Sequence, residues 1–273
     1  MEYALLIVIG FLAGTIGSLV GLGGGVIIVP SLLFLSAAHI LPSISPQVAV
    51  GTSLVVIIFN GLSSTLTYMK HKMVDYKSGL AFFIGSGPGG IFGAWINQKL
   101  HLHHFSLYFG LFLIFTSFLL MIRSRLSPLQ RQKEFKVKRT YITNEGEEIV
   151  YGYHPWMAIS IAFAVGFFGG VFGIGGGSLM VPAMILLFLF PPHVAVATSM
   201  LIVFLSALVS SLTHIAMGNV AWLFAFALIP GAWFGAKCGA WINRKLKGNT
   251  VVTVLRIVLI LLGVRLIYQG IVS

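Results

Sequence analysis

The chain has 273 residues, of which 58% are hydrophobic and 8% are charged, and its mean hydropathy is +0.99. A soluble domain carries about 25% charged residues, so the composition excludes a water-soluble globule and predicts an all-α polytopic membrane protein surrounded by membrane lipid. The net charge of +11 arises from Lys and Arg in a few loops, which indicates membrane orientation by the positive-inside rule and no nucleic-acid binding.

The first apolar block, residues 3–38, is too long for one span of about 20 residues. It contains the run GLGGGVIIVP, which begins at Gly21. Each glycine of the triplet Gly23, Gly24 and Gly25 costs about 1 kcal/mol in a helix relative to Ala. The block is therefore predicted to be a helical hairpin or a broken helix, with irregular backbone that is buried in protein or lines a cavity.

Three further apolar blocks are predicted transmembrane helices that complete a first membrane repeat over residues 1–122; they are residues 46–69, 78–98 and 105–122. Residues 123–154 form the one long polar stretch, basic at its start and acidic near its end. This linker loop is predicted to be cytoplasmic because of its Lys and Arg residues. The alternation in its last part, KRTYITNEGEEIVYGY, is consistent with a small β-hairpin, and a plain linker is the alternative.

The second membrane repeat covers residues 155–273 and has four apolar blocks in the same order. They are residues 155–190, 193–217, 220–242 and 251–271. The first of them contains GIGGGSLMVP, and residues 46–100 match residues 192–246 without gaps, which indicates a duplicated unit. Paired glycine interruptions in the two halves of a membrane protein are the best pointer that a sequence offers to a transport site.

The distribution of positive charge predicts that the two repeats are inverted. Basic residues lie at 70–77 in the first repeat and at 244–247 in the second. If each first block begins and ends on one side and three transmembrane helices follow, each repeat crosses the membrane an odd number of times. Both basic clusters and the linker then lie inside, and the turn at 217–219 lies outside. Two parallel repeats of four single spans would instead put 244–247 outside.

The duplicated glycine motif, the pair VAVGTS at 48–53 and VAVATS at 194–199, and the two AWIN motifs together resemble the TauE/SafE sulfite exporter family, also called the toluene-sulfonate uptake permease family. The second copy departs from the pattern, with Ala197 where the first has Gly51. The resemblance covers both repeats. It implies a secondary transporter of small sulfur-containing anions, such as sulfite, thiosulfate or organosulfonates like sulfoacetate, in the cell (inner) membrane.

The candidate substrate-binding residues lie at the two glycine triplets and the two Thr-Ser pairs. Helix N-termini present unpaired N–H groups, glycine lets an anion approach the backbone closely, and hydroxyl groups can donate to its oxygens. The residues are Gly23, Gly24, Gly25, Thr52, Ser53, Gly175, Gly176, Gly177, Thr198 and Ser199. The alternative roles are close helix packing for glycines, as for Gly10 and Gly14, and helix capping for the hydroxyl groups.

Lys237 is the remaining candidate, because a cation inside a membrane helix is functional by default; its alternative role is snorkelling to the interface. Asn97 and Asn243 are interpreted as caps or partners in interhelical hydrogen bonds, and Asn60 is a weaker candidate for the pathway. All acidic residues lie at block ends or in loops, which argues against a cation transporter.

Catalysis is not expected, because the sequence offers no intramembrane acid and no convincing nucleophile with its base. No metal or cofactor is expected either, since Cys238 is the one cysteine and no ligand cluster accompanies it. Two functions remain. One is a carrier that works by alternating access between the repeats, and the other is a passive anion channel of the same fold.

Overall fold

The computed structural model describes residues 2–99, 107–115, 117–118, 135–142, 148–175 and 180–272. Its first half contains α1 (Glu2–Val20), α2 (Gly25–Ala37), α3 (Pro46–Met69), α4 (Tyr76–Lys99) and α5 (helical residues 107–115 and 117–118). A hairpin of β1 (Val137–Ile142) and β2 (Glu148–Tyr153) follows. The second half contains α6 (Pro155–Phe172), α7 (Met180–Leu187), α8 (Pro192–Ala216), α9 (Trp222–Lys245) and α10 (Gly248–Val272).

Seven of the described helices are long and apolar enough to cross a membrane: α1, α3, α4, α6, α8, α9 and α10. The short helices α2 and α7 follow the two glycine motifs and have 13 and 8 residues. α3 and α8 are the most buried of the seven long helices, so the centre of the protein is formed by these two matching elements. The prediction of an all-α polytopic membrane protein is confirmed.

The predicted interruption of the first apolar block is confirmed. α1 ends at Val20 and α2 begins at Gly25. Between them Gly21, Gly23 and Gly24 have φ angles of 81°, 73° and 83°. This left-handed region is costly for a residue with a Cβ atom and open to glycine, which explains why the break in the helix is built from this residue type.

The second apolar block is interrupted at the corresponding place. α6 ends at Phe172, and Gly173 and Gly175 follow with φ angles of 70° and 77°. The predicted site residues Gly176 and Gly177 lie outside the described residues.

Two pairs of helices from opposite halves pack backbone against backbone. α1 lies against α9, where a Cβ atom on Gly231 or Gly239 would overlap the carbonyl oxygens of Ile7 and Thr15. The contacts advance along both helices together, so α1 and α9 run in the same direction. Gly10 of α1 likewise faces the backbone of α9, which confirms the packing role for this glycine.

The contact between α4 and α6 repeats the same arrangement. A Cβ atom on Gly85 or Gly93 of α4 would overlap the carbonyl oxygens of Ile159 and Phe167 of α6, and these two helices also run in the same direction. Small residues allow such close backbone approach in membrane helices, where apolar burial alone does not drive association.

The polar linker ends in a β-hairpin, which confirms that alternative over a plain linker. β1 and β2 pair antiparallel, from Val137 opposite Tyr153 to Ile142 opposite Glu148. Its second strand packs on the rest of the protein, because the Gly152 N–H donates to the Phe188 carbonyl oxygen at 3.0 Å. The hairpin is thereby fixed to the segment between α7 and α8.

Tyr151 and Arg139 fix the hairpin to the start of α4. The Tyr151 hydroxyl donates to a carboxylate oxygen of Asp75 at 3.1 Å, and Arg139 Nε lies 4.0 Å from the same oxygen. Burial, and then the negative charge of Asp75, raise the pKa of the Tyr151 hydroxyl. The hydroxyl therefore stays protonated and remains a donor at neutral pH.

Contacts at the helix ends tie the two halves together. Arg244 near the end of α9 donates to His71 just after α3. Asn219, just after α8, donates to Gln98 near the end of α4 at 2.6 Å. The end of α3 therefore lies beside the end of α9, and the end of α8 lies beside the end of α4.

Candidate functional site at the glycine breaks

The two glycine breaks meet each other in the interior of the protein. A Cβ atom on Gly25 would overlap the carbonyl oxygen of Gly173 and lie 2.7 Å from the Cα atom of Ile174. Ile57 of α3 and Val203 of α8, which occupy matching positions, flank the breaks from both sides. The two glycine breaks, α3 and α8 thus converge on one buried place. The polar groups that the breaks bring there belong to the backbone and not to charged side chains.

Each serine of the Thr-Ser pairs binds the glycine break of the other half. The buried Ser53 Oγ donates to the Gly173 carbonyl oxygen at 2.9 Å. The buried Ser199 Oγ lies 3.1 Å from the Gly21 carbonyl oxygen and 2.7 Å from the Val196 carbonyl oxygen. Each half thus donates a serine hydroxyl to the break of the other half, and we call these two contacts crossed hydrogen bonds. The sequence alone did not predict them.

The threonines of these pairs also make crossed contacts. Thr52 Oγ1 accepts the Ala221 N–H at 2.9 Å, and Thr198 Oγ1 accepts the Asp75 N–H at 3.0 Å. Ala221 and Asp75 occupy matching positions in the turn before α9 and the turn before α4. Each threonine thus holds a turn of the opposite half.

None of these four hydroxyl groups caps the helix in which it lies. α3 begins at Pro46, and Ser45 is its cap, accepting the Val48 N–H through its side chain at 3.3 Å. Thr52 and Thr198 lie more than a turn inside α3 and α8. The capping alternative fails because each helix begins further upstream than the Thr-Ser pair suggested.

The start of α2 is buried, and two backbone N–H groups there are unpaired within the described part of the chain. Its N-cap, Gly24, has no side chain to accept them, and the Gly24 carbonyl oxygen binds the N–H groups of Ile27 and Ile28. Within the described part of the chain, the N–H groups of Gly25 and Val26 have no acceptor. Unpaired donors at the positive end of a helix dipole are suited to an anion.

Asn60, a weaker candidate for the pathway on sequence grounds, contacts the first break directly. Its Nδ2 donates to the Gly23 carbonyl oxygen at 2.8 Å, and the side chain is fully buried. A Cβ atom on Gly24 would lie 2.9 Å from this nitrogen. The signal available in the sequence was an amide in the middle of an apolar helix, where an unsatisfied polar group is costly.

The two AWIN asparagines form the interhelical hydrogen bonds that were one of their predicted roles. Asn97 Nδ2 donates to the Val171 carbonyl oxygen at 2.8 Å, and Asn243 Nδ2 donates to the Leu19 carbonyl oxygen at 2.6 Å. Both acceptors lie near the end of the helix that precedes a glycine break. Each asparagine therefore fixes the approach to the break of the opposite half.

Lys237 is not brought to the glycine breaks. Its side chain is exposed on α9, with Nζ 5.6 Å from the ring centroid of Trp233 and 5.7 Å from that of Phe234. Both rings belong to the same helix. This placement favours snorkelling along the outer surface of α9 over a role in the pathway.

Replacing Lys237 with Met is expected to leave the apparent KM for the transported anion within about twofold of wild type, since exposed substitutions have small effects. Uptake by membrane vesicles over a range of anion concentrations measures this. A KM that rises tenfold, with partial recovery in Lys237→Arg, would return Lys237 to the site.

Comparisons with known proteins agree with the sequence motifs. A family model described as "Sulfite exporter TauE/SafE" matches residues 6–266. The chain is 56% identical to "Probable membrane transporter protein YunE" of Bacillus subtilis (strain 168), over the whole length of both proteins. It is 32% identical over 127 residues to "Sulfite exporter TauE/SafE family protein 6" of Arabidopsis thaliana, covering 45% of this chain and 27% of that protein. No solved structure matches the chain.

Proposed function

The chain belongs to the TauE/SafE sulfite exporter family, and from this we propose that it is a secondary transporter of small sulfur-containing anions across the cell (inner) membrane. Sulfite, thiosulfate and organosulfonates such as sulfoacetate are the proposed substrates. The site is the junction of the two glycine breaks, and alternating access comes from movement of one repeat against the other. A passive anion channel of the same fold is the alternative.

The observation that carries this proposal is the pair of crossed serine hydrogen bonds. Ser53 and Ser199 each hold a break carbonyl of the opposite half, at Gly173 and Gly21. If one half moves against the other, these two hydrogen bonds break and their donors and acceptors need new partners. When the breaks separate, the serine hydroxyl groups and the N–H groups of Gly25 are available as donors to an anion.

The chemistry of this junction favours an anion over a cation. The backbone donors at the start of α2 lie at the positive end of its dipole. The six acidic residues of the chain lie at helix ends or in the polar linker, so a cation would meet no carboxylate within the helices. A sulfur oxyanion presents several acceptor oxygens on one small centre, which suits a site made of N–H and O–H donors.

Flux in proteoliposomes tests the proposal against its alternative. Sulfite, thiosulfate, sulfoacetate, taurine and sulfate are offered to the purified protein in turn. A carrier saturates with concentration and is accelerated by substrate on the opposite side, whereas a channel conducts far faster and shows no such acceleration. Saturation and trans-stimulation by at least one sulfur anion support the carrier, and flux of none of them rejects the proposal.

The proposed mechanism uses inverted repeats, and several contacts support that arrangement. α1 and α9 run in the same direction, as do α4 and α6. The start of α3 contacts the turn between α8 and α9 through Thr52, while the start of α8 contacts the turn between α3 and α4 through Thr198. These contacts suit matching helices that point in opposite directions.

Inverted repeats predict opposite labelling of two turns. In a Cys238→Ser background, Gly218→Cys should react in intact cells with a thiol reagent that cannot cross the membrane, and Lys247→Cys should react only after the cells are opened. Gly218 suits labelling because, apart from its chain neighbours, no atom lies within 4 Å of an added Cβ, so the reagent can reach the thiol. Labelling of Lys247→Cys in intact cells would contradict the inverted arrangement.

A further inference from the structure

A second cavity with anion-binding chemistry lies away from the glycine breaks, where α9 ends and α8 begins. It has a volume of ≈ 340 Å³ and is lined by His71, Met73, Tyr141, His193, Arg244 and Leu246. Among the residues that the structure describes, its polar lining consists of an arginine, two histidines and a tyrosine, without a carboxylate. The guanidinium of Arg244 and the hydroxyl of Tyr141 offer N–H and O–H donors, which suit an oxyanion.

Hydrogen bonds determine which nitrogen of His193 carries a proton. Asn243 Nδ2 donates to the Leu19 carbonyl oxygen at 2.6 Å, so the other amide atom, Oδ1, is the acceptor that lies 3.0 Å from His193 Nδ1. In this network Nδ1 bears the proton. In this tautomer Nε2 is an acceptor, so the His193 ring shapes the cavity wall and the donors to an anion come from its other residues.

Arg244 carries a positive charge that no nearby carboxylate neutralises. Its Nη1 donates to His71 Nε2, which acts as a neutral acceptor. Within the described part of the chain, no carboxylate oxygen lies within 4.0 Å of the guanidinium. Guanidinium groups bind oxyanions through two parallel N–H bonds, so an arginine without a carboxylate partner at a cavity wall is a ready oxyanion ligand.

The surroundings of this cavity add further positive charge. A neighbouring cavity shares Met73 and Tyr141 with it and is lined by Lys72, Lys77 and Arg139. The one carboxylate there, that of Asp75, already accepts the Tyr151 hydroxyl and lies 4.0 Å from Arg139 Nε. Clustered cations in a cleft concentrate anions locally.

The cavity lies beside the route to the first glycine break. Asn243, which orients His193, binds Leu19 two residues before Gly21. His193 and Ser199 lie six residues apart on α8, which is about 9 Å along a helix. Ser199 in turn contacts the Gly21 carbonyl oxygen. An anion in the cavity is therefore at the same end of the protein as the residues that hold this break.

We propose that this cavity is a second anion-binding site at the cytoplasmic mouth, that Arg244 is its principal ligand, and that it takes a small divalent oxyanion on its way to or from the glycine breaks. The inference rests on the proposed function, since the ligand is of the class proposed for the transported substrate. A lipid phosphate shares this chemistry, and the test below separates the two sources.

The chain offers a matched control for Arg244. Lys245 is the next residue and carries the same charge, but its Nζ lies 3.6 Å from the ring centroid of Trp241 and it does not line the cavity. Uptake of labelled thiosulfate is compared in everted vesicles, which expose the cytoplasmic face, and in right-side-out vesicles. The variants are Arg244→Gln, Arg244→Lys and Lys245→Gln.

Arg244→Gln should raise the apparent KM about tenfold in everted vesicles, which is the loss expected for a charge-assisted hydrogen bond. In right-side-out vesicles the KM of Arg244→Gln should stay within about twofold of wild type. The KM of Lys245→Gln should stay within the same range in both kinds of vesicle. Arg244→Lys should recover part of the loss. Equal effects of Arg244→Gln and Lys245→Gln in everted vesicles would overturn the proposal, because general surface charge would then explain both.

Equilibrium binding of thiosulfate in nanodiscs of phosphatidylcholine alone separates the remaining outcomes. If the wild type binds thiosulfate but transports no sulfur anion, the proposed function fails, and weaker binding by Arg244→Gln alone still supports the cavity. If wild type and Arg244→Gln bind thiosulfate equally and differ instead in retained phosphatidylglycerol, the cavity holds a lipid headgroup and the proposal is overturned.

Discussion

Gly24→Val should reduce transport to less than about a tenth of wild type. The φ angle of Gly24 is 83°, a region that costs a residue with a Cβ atom about 1–2 kcal/mol. The added Cβ atom would also lie 2.8 Å from the Ala13 carbonyl oxygen and 2.9 Å from Asn60 Nδ2. Valine therefore strains the backbone and disturbs the amide that holds the break. Initial uptake per inserted protein molecule measures the effect.

Gly218→Val is the matched control for this prediction. Gly218 has a φ angle of 73°, close to that of Gly24, but no atom lies within 4 Å of a Cβ atom added there. Its backbone strain is similar and its packing cost is absent, so uptake should stay within about twofold of wild type. If Gly24→Val is inserted, melts like Gly218→Val and still transports normally, the glycine break is not the site.

Gly10 would be an unsuitable control, although the sequence analysis assigned it only to helix packing. A Cβ atom on Gly10 would overlap the carbonyl oxygen of Leu228 in α9. Valine at that position would separate α1 from α9 and destabilise the fold itself. Loss of transport in Gly10→Val would therefore not show whether the anion binds there. Comparing Gly24→Val with Gly218→Val instead separates the effect of backbone strain from the effect of a position at the glycine break.

The helices and the first interruption could be predicted because their causes are local. A long apolar stretch must form a helix in lipid, and three consecutive glycines weaken that helix wherever they occur. The left-handed φ angles of Gly21, Gly23 and Gly24 follow from this residue type. The hairpin of β1 and β2 likewise follows from alternating side chains next to each other in the chain.

The partners of the polar side chains could not be predicted, because they are set by packing between residues more than a hundred positions apart. Ser53 and Thr52 stand out in the sequence as candidates, but their partners Gly173 and Ala221 belong to the other half. Lys237 illustrates the same limit: helical position alone does not tell which face of α9 is covered. The fold turns that face away from the breaks.

The matching sequences of residues 46–100 and 192–246 explain why the unpredicted contacts come in matching pairs. Ser53 binds the second break, and its counterpart Ser199 binds the first. In the same way, Asn97 of α4 and Asn243 of α9 each bind the end of the helix that precedes the other half's break. The first break also receives a hydrogen bond from its own half, from Asn60 Nδ2 to the Gly23 carbonyl oxygen. Each half thus supplies side-chain hydrogen bonds to the other half's break and to the helix that leads to it.

Ser53→Ala and Ser199→Ala should therefore have similar effects on stability and on transport. Ser53→Ala leaves the buried Gly173 carbonyl oxygen without its hydroxyl donor, and Ser199→Ala removes the donor shared by the carbonyl oxygens of Gly21 and Val196. An unsatisfied buried group costs about 1–3 kcal/mol, so the melting temperature of the purified protein should fall in both. The lost hydroxyl is also a proposed ligand of the anion, so the apparent KM should rise about tenfold.

Ser211→Ala is the control for both variants. Ser211 is equally buried on α8, but its Oγ donates at 2.9 Å to the Leu208 carbonyl oxygen of the same helix. Removing it changes no contact between the halves, so stability and KM should stay near wild type. A large effect of Ser53→Ala with none of Ser199→Ala would show that the two breaks are unequal. It would contradict the expectation that both crossed bonds contribute to stability and transport.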